Sequence, residues 1–210
     1  MQFWPRVRAK GTTPRVRSYA QLKEAKPLGF AGYKVGMTQV QYKDEDKNSP
    51  TKGNIISSPV TIIECPPLVV CGVRAYHNGI ATGEVWAQKP KKDLKNKLAT
   101  SKKTHSLDSL KQYDTLYLIV HTQPSQTGIG KKKAEVFEVA LGGGKEDQIN
   151  YAKEQLGKEL QAKDIFEENE FVDIHAITKG KGFQGPVKRF GVAIRSHRSE
   201  KTKRGPGSLG

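Results

Sequence analysis

The apolar residues of this chain concentrate between residues 29 and 178, where they form short runs that predict β-strands. The strongest runs, residues 68–76 and 115–120, are rich in valine, isoleucine, leucine and tyrosine, a composition typical of buried strands. Asn78 and Gly79 follow the first run and predict a hairpin turn, because both residues readily adopt positive φ. The predicted strands cover residues 30–42, 60–63, 68–76, 82–87, 115–120, 136–139 and 171–178.

Two segments in the middle of the chain show helical spacing. Leucine spacing predicts one or two short helices within residues 89–112, and apolar residues at three- and four-residue intervals predict a helix over residues 146–160. Strands lie on both sides of this mixed region. The pattern therefore predicts a mainly β fold, either a barrel or an open meander, that carries an inserted α/β lobe.

Charge is distributed unevenly along the chain, whose 210 residues carry a net charge of +15. Residues 1–17 contain five basic residues and no acid, and residues 178–204 contain nine basic residues and one acid. The segment between them is nearly neutral, and Arg74 is its single arginine among the nine in the chain. The sequence thus predicts a neutral body with two cationic arms.

The composition of the arms favours nucleic acid as their partner. A membrane surface would require an amphipathic helix, and residues such as Pro5, Pro14, Pro186 and Gly191 interrupt any helical period. The planar guanidinium of arginine suits phosphate groups and base edges. The simpler alternative for residues 179–210 is a disordered basic tail without a defined binding site. Its closely spaced glycines instead favour a segment that becomes ordered by threading into structured RNA.

Two glycine-rich motifs resemble nucleotide-binding motifs in part, but the residues around them do not fit a nucleotide site. Gly180-Lys-Gly182-Phe-Gln-Gly185 has the dinucleotide-binding spacing, but the Pro186–Gly191 segment that follows does not have the pattern of an amphipathic helix. Lys201 and Lys203 also stand where an acidic residue should bind the ribose. Gly128-Ile-Gly130-Lys lacks the first glycine and the hydroxyl of a phosphate-binding loop. We therefore predict no nucleotide cofactor.

The remaining chemistry-bearing residues indicate an intracellular protein without catalysis. Cys65 and Cys71 match no zinc pattern and are predicted to be buried, reduced thiols. The histidines have no ligand spacing, and His121 and His175 are expected in core or half-buried positions of strands. We find no signal sequence, no run of transmembrane length and no catalytic constellation. We expect a cytoplasmic protein with neither metal nor cofactor.

Several motifs resemble one family. Lys34-Val-Gly-Met-Thr38 resembles the opening of the universal L-three family of large-subunit ribosomal proteins. Ile177-Thr-Lys-Gly-Lys-Gly-Phe-Gln-Gly-Pro-Val-Lys-Arg-Phe-Gly191 resembles that family's signature. Phe3-Trp-Pro-Arg-Val-Arg-Ala-Lys10 is similar to the N-terminal arm of the archaeal and eukaryotic branch, and Pro59–Glu64 and Gly72–Tyr76 extend the match. The lack of a compact bacterial-style insertion favours an archaeal source.

The resemblance implies a translation-protein-type β-barrel, an α/β insertion and a long finger that reaches toward the peptidyl-transferase centre. It also implies an early role in subunit assembly near the 3′ part of the rRNA, with neighbouring ribosomal proteins as partners and no membrane or small-molecule substrate. The resemblance also implies that family members continue well past the position of Gly210. The chain is therefore expected to be a fragment or a natural truncation with an incomplete barrel.

With this resemblance, we divide the chain into five segments. They are the N-terminal arm (1–28), the first part of the barrel (29–88), the α/β insertion (89–170), a barrel strand with the signature loop (171–183) and the finger (184–210). The residues predicted to bind rRNA are Trp4, Arg6, Arg8, Lys10, Arg15, Arg17, Lys179, Lys181, Gly182, Lys188, Arg189, Arg195, His197, Arg198, Lys201, Lys203 and Arg204.

Two other classes of function remain as alternatives. An RNA-modifying enzyme would need a cofactor pocket or paired catalytic groups, and the sequence suggests neither. Another basic nucleic-acid-binding protein, such as one that compacts DNA, would be expected to carry its charge on the folded body, whereas this body is nearly neutral. A structural RNA-binding protein of the large ribosomal subunit, without enzymatic activity, is therefore the preferred interpretation.

Overall fold

Two units make up the chain. The sheet unit comprises Arg15–Ile174, and the cationic unit combines the N-terminal residues up to Pro14 with His175–Gly210. A computed structural model describes residues 7–95, 97–99, 105–107, 110, 112–199 and 201–210. The predicted site residues Trp4 and Arg6 lie outside this described part of the chain.

A five-stranded sheet organises the sheet unit. Its strands are β3 (Leu68–His77), β4 (Ile80–Trp86), β5 (Thr115–His121), β6 (Val136–Ala140) and the short β7 (Glu159–Leu160). The order is β4-β3-β5-β6, with β7 also paired to β3, and all these pairs are antiparallel. Strands from both sides of residues 88 and 89, where we placed a segment boundary, therefore share one sheet.

The hairpin between β3 and β4 follows the turn that the sequence predicts. Asn78 has φ +49° and Gly79 has φ +76°, the left-handed values that a two-residue hairpin loop requires. Asp114, which lies outside the hairpin in sequence, stabilises the turn, because its carboxylate accepts a hydrogen bond from the backbone N–H of Asn78 at 2.9 Å. This prediction is confirmed.

The core lies on both faces of the sheet, because successive side chains of β5 point to opposite sides. Leu116, Leu118 and Val120 pack with the other buried residues of the larger cluster, which includes Ala152 of helix α2 (Lys145–Gln155). Ile119 packs in a smaller cluster with Leu94 of the short helix α1 (Lys92–Lys95). Both β5 and β3 are thus enclosed, which explains their nearly continuous apolar sequences.

Helix α2 is tied to the sheet through a buried amide. The side chain of Gln148 donates to the carbonyl oxygens of Leu141 and Gly143 at 3.1 Å and accepts from the N–H of Leu116 at 3.2 Å. The helix ends earlier than the predicted residue 160. Gly157 adopts φ +83° directly after the last turn, and its N–H pairs with the carbonyl of Val70 in β3.

Strands β1 (Tyr33–Lys43) and β2 (Ile55–Glu64) form a separate antiparallel sheet of two strands. The predicted meander is therefore two hairpins in two different sheets. Large apolar side chains such as Val35, Met37 and Ile55 remain exposed on this hairpin. Cys65 directly follows β2 and is also exposed, so the prediction that both thiols are buried holds for Cys71 and is wrong for Cys65.

Residues 19–28 lie along the free edge of the large sheet. The N–H of Leu28 donates to the carbonyl of Ala140, and Tyr19 donates its hydroxyl hydrogen to the carbonyl of Glu138. The glycines after β6 permit this approach, since a Cβ at Gly142 would lie 2.6 Å from the carbonyl oxygen of Glu24. This stretch of the predicted arm therefore covers an edge strand.

Other predictions for the body differ from the structure. The strand over residues 171–178 does not form, and Phe171 and Ile174 are exposed, because an extended segment becomes a strand only when a neighbour pairs with its backbone. His175 is exposed for the same reason, whereas His121 is buried as predicted. Within residues 89–112, α1 is shorter than expected, and most of the second predicted helix lies outside the described residues.

Candidate nucleic-acid interface

The cationic unit has a high charge and no core. Its sequence contains twelve basic residues and one acidic residue. None of its described residues is buried. Such a unit lacks the apolar burial that stabilises an independent domain, and it presents a concentrated positive field to solvent. Both properties are typical of a segment that becomes ordered against a polyanion.

The glycine motif forms a turn followed by a single helical turn. Gly182 adopts φ +64°, and helix α3 (Pro186–Phe190) starts directly after Gly185. Gly191 adopts φ +68° and donates its N–H to the carbonyl of Val187 at 3.0 Å, which ends the helix. We expected no amphipathic helix here, and α3 has no apolar stripe. This short helix is instead defined by the proline in its first turn and the glycine at its end.

The glycines of this motif are not required by internal packing. A Cβ built at Gly180, Gly182, Gly185 or Gly191 would meet nothing within 4 Å. Gly182 and Gly191 are favoured by their positive φ values, and the other two face open space. The backbone around the signature is therefore accessible to an external surface.

The finger folds back on itself at its end. The N–H of Arg195 donates to the carbonyl of Lys203 at 3.1 Å, and the N–H of Ser199 donates to the carbonyl of Ser196 at 3.0 Å. The guanidinium of Arg195 also lies 3.5 Å from the hydroxyl of Thr202. The exposed cationic side chains of this loop are Arg195, Arg198, Lys201, Lys203 and Arg204.

The N-terminal arm contributes to the same unit. The guanidinium carbon of Arg8 lies over the ring of Phe183, 5.8 Å from its centre, and that of Arg189 lies 4.9 Å from the centre of the Phe190 ring. Both distances fall in the range of cation–π attraction. The first part of the N-terminal arm, up to Pro14, and the distant finger therefore lie in one cationic unit.

The predicted site residues are distributed as follows. Arg15 and Arg17 are exposed but belong to the sheet unit. Arg189 is partly buried. The exposed members within the cationic unit are Arg8, Lys10, Lys179, Lys181, Gly182, Lys188, Arg195, His197, Arg198, Lys201, Lys203 and Arg204. The prediction omitted Phe183, whose position between glycines and lysines could have marked it as an exposed ring.

Arg74, Cys71 and His121 of the sheet unit are held by ion pairs or by burial. Arg74, the single arginine between residues 18 and 177, forms ion pairs with Glu84 and Glu138 and donates from Nε to Glu84 at 2.8 Å. Burial raises the pKa of Cys71 to about 12, which keeps it a thiol at neutral pH. Burial also lowers the pKa of His121, so this side chain stays neutral. These groups support the fold of the sheet.

An open cleft of about 700 Å³ lies beside α1. Among its lining residues, Lys91 is paired with Glu159 and Lys131 with Glu135, so much of its positive charge is neutralised. No cluster of three or more potential metal ligands occurs among the described residues. In the same part of the chain, no helix is both long and apolar enough to cross a membrane.

Comparison with known proteins adds a family relationship. The family described as Ribosomal protein L3 matches residues 1–210. Large ribosomal subunit protein uL3 of Methanothermobacter thermautotrophicus is 45% identical over 99% of this chain and 66% of its own length. The proteins of the same name from Thermoplasma acidophilum and Methanococcus vannielii are 42% and 43% identical over 100% of this chain. The chain spans 66% and 67% of the lengths of those two relatives.

Proposed function

Since this chain belongs to the ribosomal protein L3 family, we propose that it is a structural, non-enzymatic constituent of the large ribosomal subunit. Its cationic unit binds large-subunit rRNA. Its location is the ribosome in the cytoplasm, and its other partners are neighbouring large-subunit proteins. The function includes support of subunit assembly, with the finger reaching toward the peptidyl-transferase centre.

The observation that carries this proposal is the concentration of charge in a unit without a core. Twelve basic residues and one acid lie in a unit none of whose described residues is buried. Phosphates neutralised by these side chains release condensed counterions, which is a large favourable term in nucleic-acid binding. The same contacts supply order to a segment that has little apolar burial of its own.

The residues of the cationic unit divide into two roles. Exposed arginines and lysines, such as Lys188, Arg195 and Arg198, contact phosphates and set the position of the finger on the RNA. Gly180, Gly182 and Gly185 leave the backbone open to close approach by RNA. The sheet unit is a nearly neutral scaffold, and we propose that it forms the protein contacts.

Sedimentation tests the proposal. The chain is expressed with a tag in an archaeal host, and ribosomal particles are separated in a sucrose gradient after dissociation of the subunits. We expect the chain in the large-subunit fraction, and its recovery there should decrease as salt is raised, because phosphate contacts are screened.

A matched pair of variants separates this site from general charge. One variant replaces Arg195, Arg198 and Arg204 of the finger by alanine. The other replaces Lys47, Lys52 and Lys132, three exposed lysines of the sheet unit, by alanine. Both lose three charges, and only the first should leave the large-subunit fraction. If the chain stays at the top of the gradient, or if both variants behave alike, the proposal is wrong.

A further inference from the structure

Phe183 is an aromatic side chain that packs little against its own unit. It is 93% exposed, within a unit none of whose described residues is buried, and its contact with Arg8 leaves most of the ring uncovered. The neighbouring Gly182 adopts a left-handed turn at φ +64°, and a Cβ at that position would meet nothing within 4 Å. The ring is therefore open to solvent, and the backbone beside it at Gly182 is also uncovered.

The surroundings of the ring are cationic. Lys179 and Lys181 precede it and are exposed, and the guanidinium carbon of Arg8 lies 5.8 Å from the ring centre. The Arg8 contact covers almost none of the ring, as its exposure shows. A flat apolar surface with positive charge around it matches one nucleotide, whose base can stack on the ring while its phosphates meet the cations.

We propose that Phe183 is a stacking platform for an unpaired nucleobase, and that Arg8, Lys179 and Lys181 bind the adjoining phosphates. The inference rests on the proposed function and assigns a distinct role to a residue that carries no charge. A phenylalanine ring offers no hydrogen bond, so the site accepts any base that is not paired in a helix.

A second exposed phenylalanine shows what distinguishes this site. Phe171 of the sheet unit is fully exposed, but Glu167, Glu168 and Glu170 precede it. These carboxylates repel phosphates, so a nucleotide is not expected to stack there. An exposed ring alone therefore does not carry the proposal, and the cations around Phe183 decide the class of partner.

The test measures binding of the full chain to two probes by fluorescence anisotropy. One probe is a single-stranded oligoadenylate of about twelve nucleotides, and the other is an abasic oligomer with the same number of phosphates. Phe183→Leu should lower the affinity for oligoadenylate roughly fivefold to hundredfold, the range measured when a stacking ring is removed. Its affinity for the abasic oligomer should be unchanged. Phe183→Trp should retain or strengthen oligoadenylate binding.

Phe171→Leu is the matched control and should bind both probes like the unchanged chain. The stacking proposal is overturned if Phe183→Leu binds oligoadenylate normally, or if it loses affinity equally for the abasic oligomer, as a protein-contact or folding role would predict. If the unchanged chain binds neither probe, the proposed RNA-binding function itself fails. The two failures are therefore distinguishable.

Discussion

Gly182 offers the sharpest test of the proposal that the cationic unit binds RNA. The change is Gly182→Val, which adds no charge, and a Cβ at this position would meet nothing within 4 Å in the free protein. It does place a β-branched side chain at φ +64°, a conformation that L-residues rarely adopt. Gly180→Val is the matched control, because Gly180 has no positive φ and its Cβ would also face open space.

The expected magnitude follows from the backbone conformation. Holding a non-glycine residue in a sparsely populated region costs roughly 1–3 kcal/mol. The free chain can relax this strain, since no described residue of the unit is buried. RNA binding would then have to restore the turn, so the affinity for rRNA should fall roughly fivefold to hundredfold. The melting temperature of the sheet unit should not change.

Arg195→Lys provides the contrast in side-chain chemistry. This change keeps the positive charge and removes the guanidinium fork, whose hydroxyl partner Thr202 lies at a long 3.5 Å. Because the side chain is exposed, the loss should be at most about fivefold, the equivalent of about 1 kcal/mol. We therefore expect Gly182→Val to impair binding more than Arg195→Lys.

The assay is a filter-binding titration of the chain with large-subunit rRNA at constant salt, followed by incorporation into large subunits. Gly180→Val should lose less affinity than Gly182→Val, and the difference between them measures the strain at φ +64°. The reasoning is refuted if Gly182→Val binds and incorporates normally while Arg195→Lys does not. That result would mean that contacts of the guanidinium group, and not the backbone turn at Gly182, determine how tightly the unit binds RNA.

Three further predictions address electrostatics, pH and packing. The logarithm of rRNA affinity should fall with the logarithm of salt concentration with a slope of roughly −0.7 to −0.9 per phosphate neutralised, and a slope near zero would contradict phosphate binding. Burial lowers the pKa of His121 in the folded protein below the value of about 6.5 in the unfolded chain. The neutral His121 therefore contributes its full free energy of folding above about pH 6.5, and this contribution is lost as the pH falls toward the folded pKa. The melting temperature should therefore decrease from about pH 7.5 to about pH 5, and this decrease should be larger than in His121→Gln. Equal pH dependence of the melting temperature in the two proteins would show that His121 is not responsible. The variant His175→Gln, at an exposed position, serves as control. Gly142→Ala should destabilise the sheet unit by roughly 1–3 kcal/mol in a urea titration, because its Cβ would lie 2.6 Å from the carbonyl of Glu24. Gly128→Ala, which faces open space, should have no such effect, and equal midpoints for the two variants would contradict the packing argument.

Local patterns predicted much of the fold because they depend on neighbouring residues. The runs at 68–76 and 115–120 became β3 and β5 almost without change, and Asn78 with Gly79 made the predicted turn. The segment at 171–178 places Val172, Ile174 and Ala176 at alternating positions, yet it forms no strand. Alternation describes which side chains could share a face, but a strand also needs a hydrogen-bonding neighbour.

The candidate site was predictable in composition and only partly in arrangement. The two cationic arms follow from a count of basic residues along the chain. Their union does not, since the contact between Arg8 and Phe183 joins residues that the sequence separates by most of its length. The exposure of Phe183 was likewise undetermined, because an aromatic residue in an irregular segment has no periodicity from which burial could be inferred.

The sequence by itself determined the mainly β character, the separation of a neutral body from cationic ends and the family. These properties reside in short motifs and in composition, and they need no knowledge of which distant segments meet. Only the tertiary structure decided that β3 pairs with β5 across the intervening segment, that residues 19–28 cover the edge of the sheet, and that the N-terminal residues up to Pro14 join His175–Gly210. Such choices depend on the relative free energies of alternative long-range pairings, and these energies reside in packing and backbone hydrogen bonds between residues that no local pattern connects.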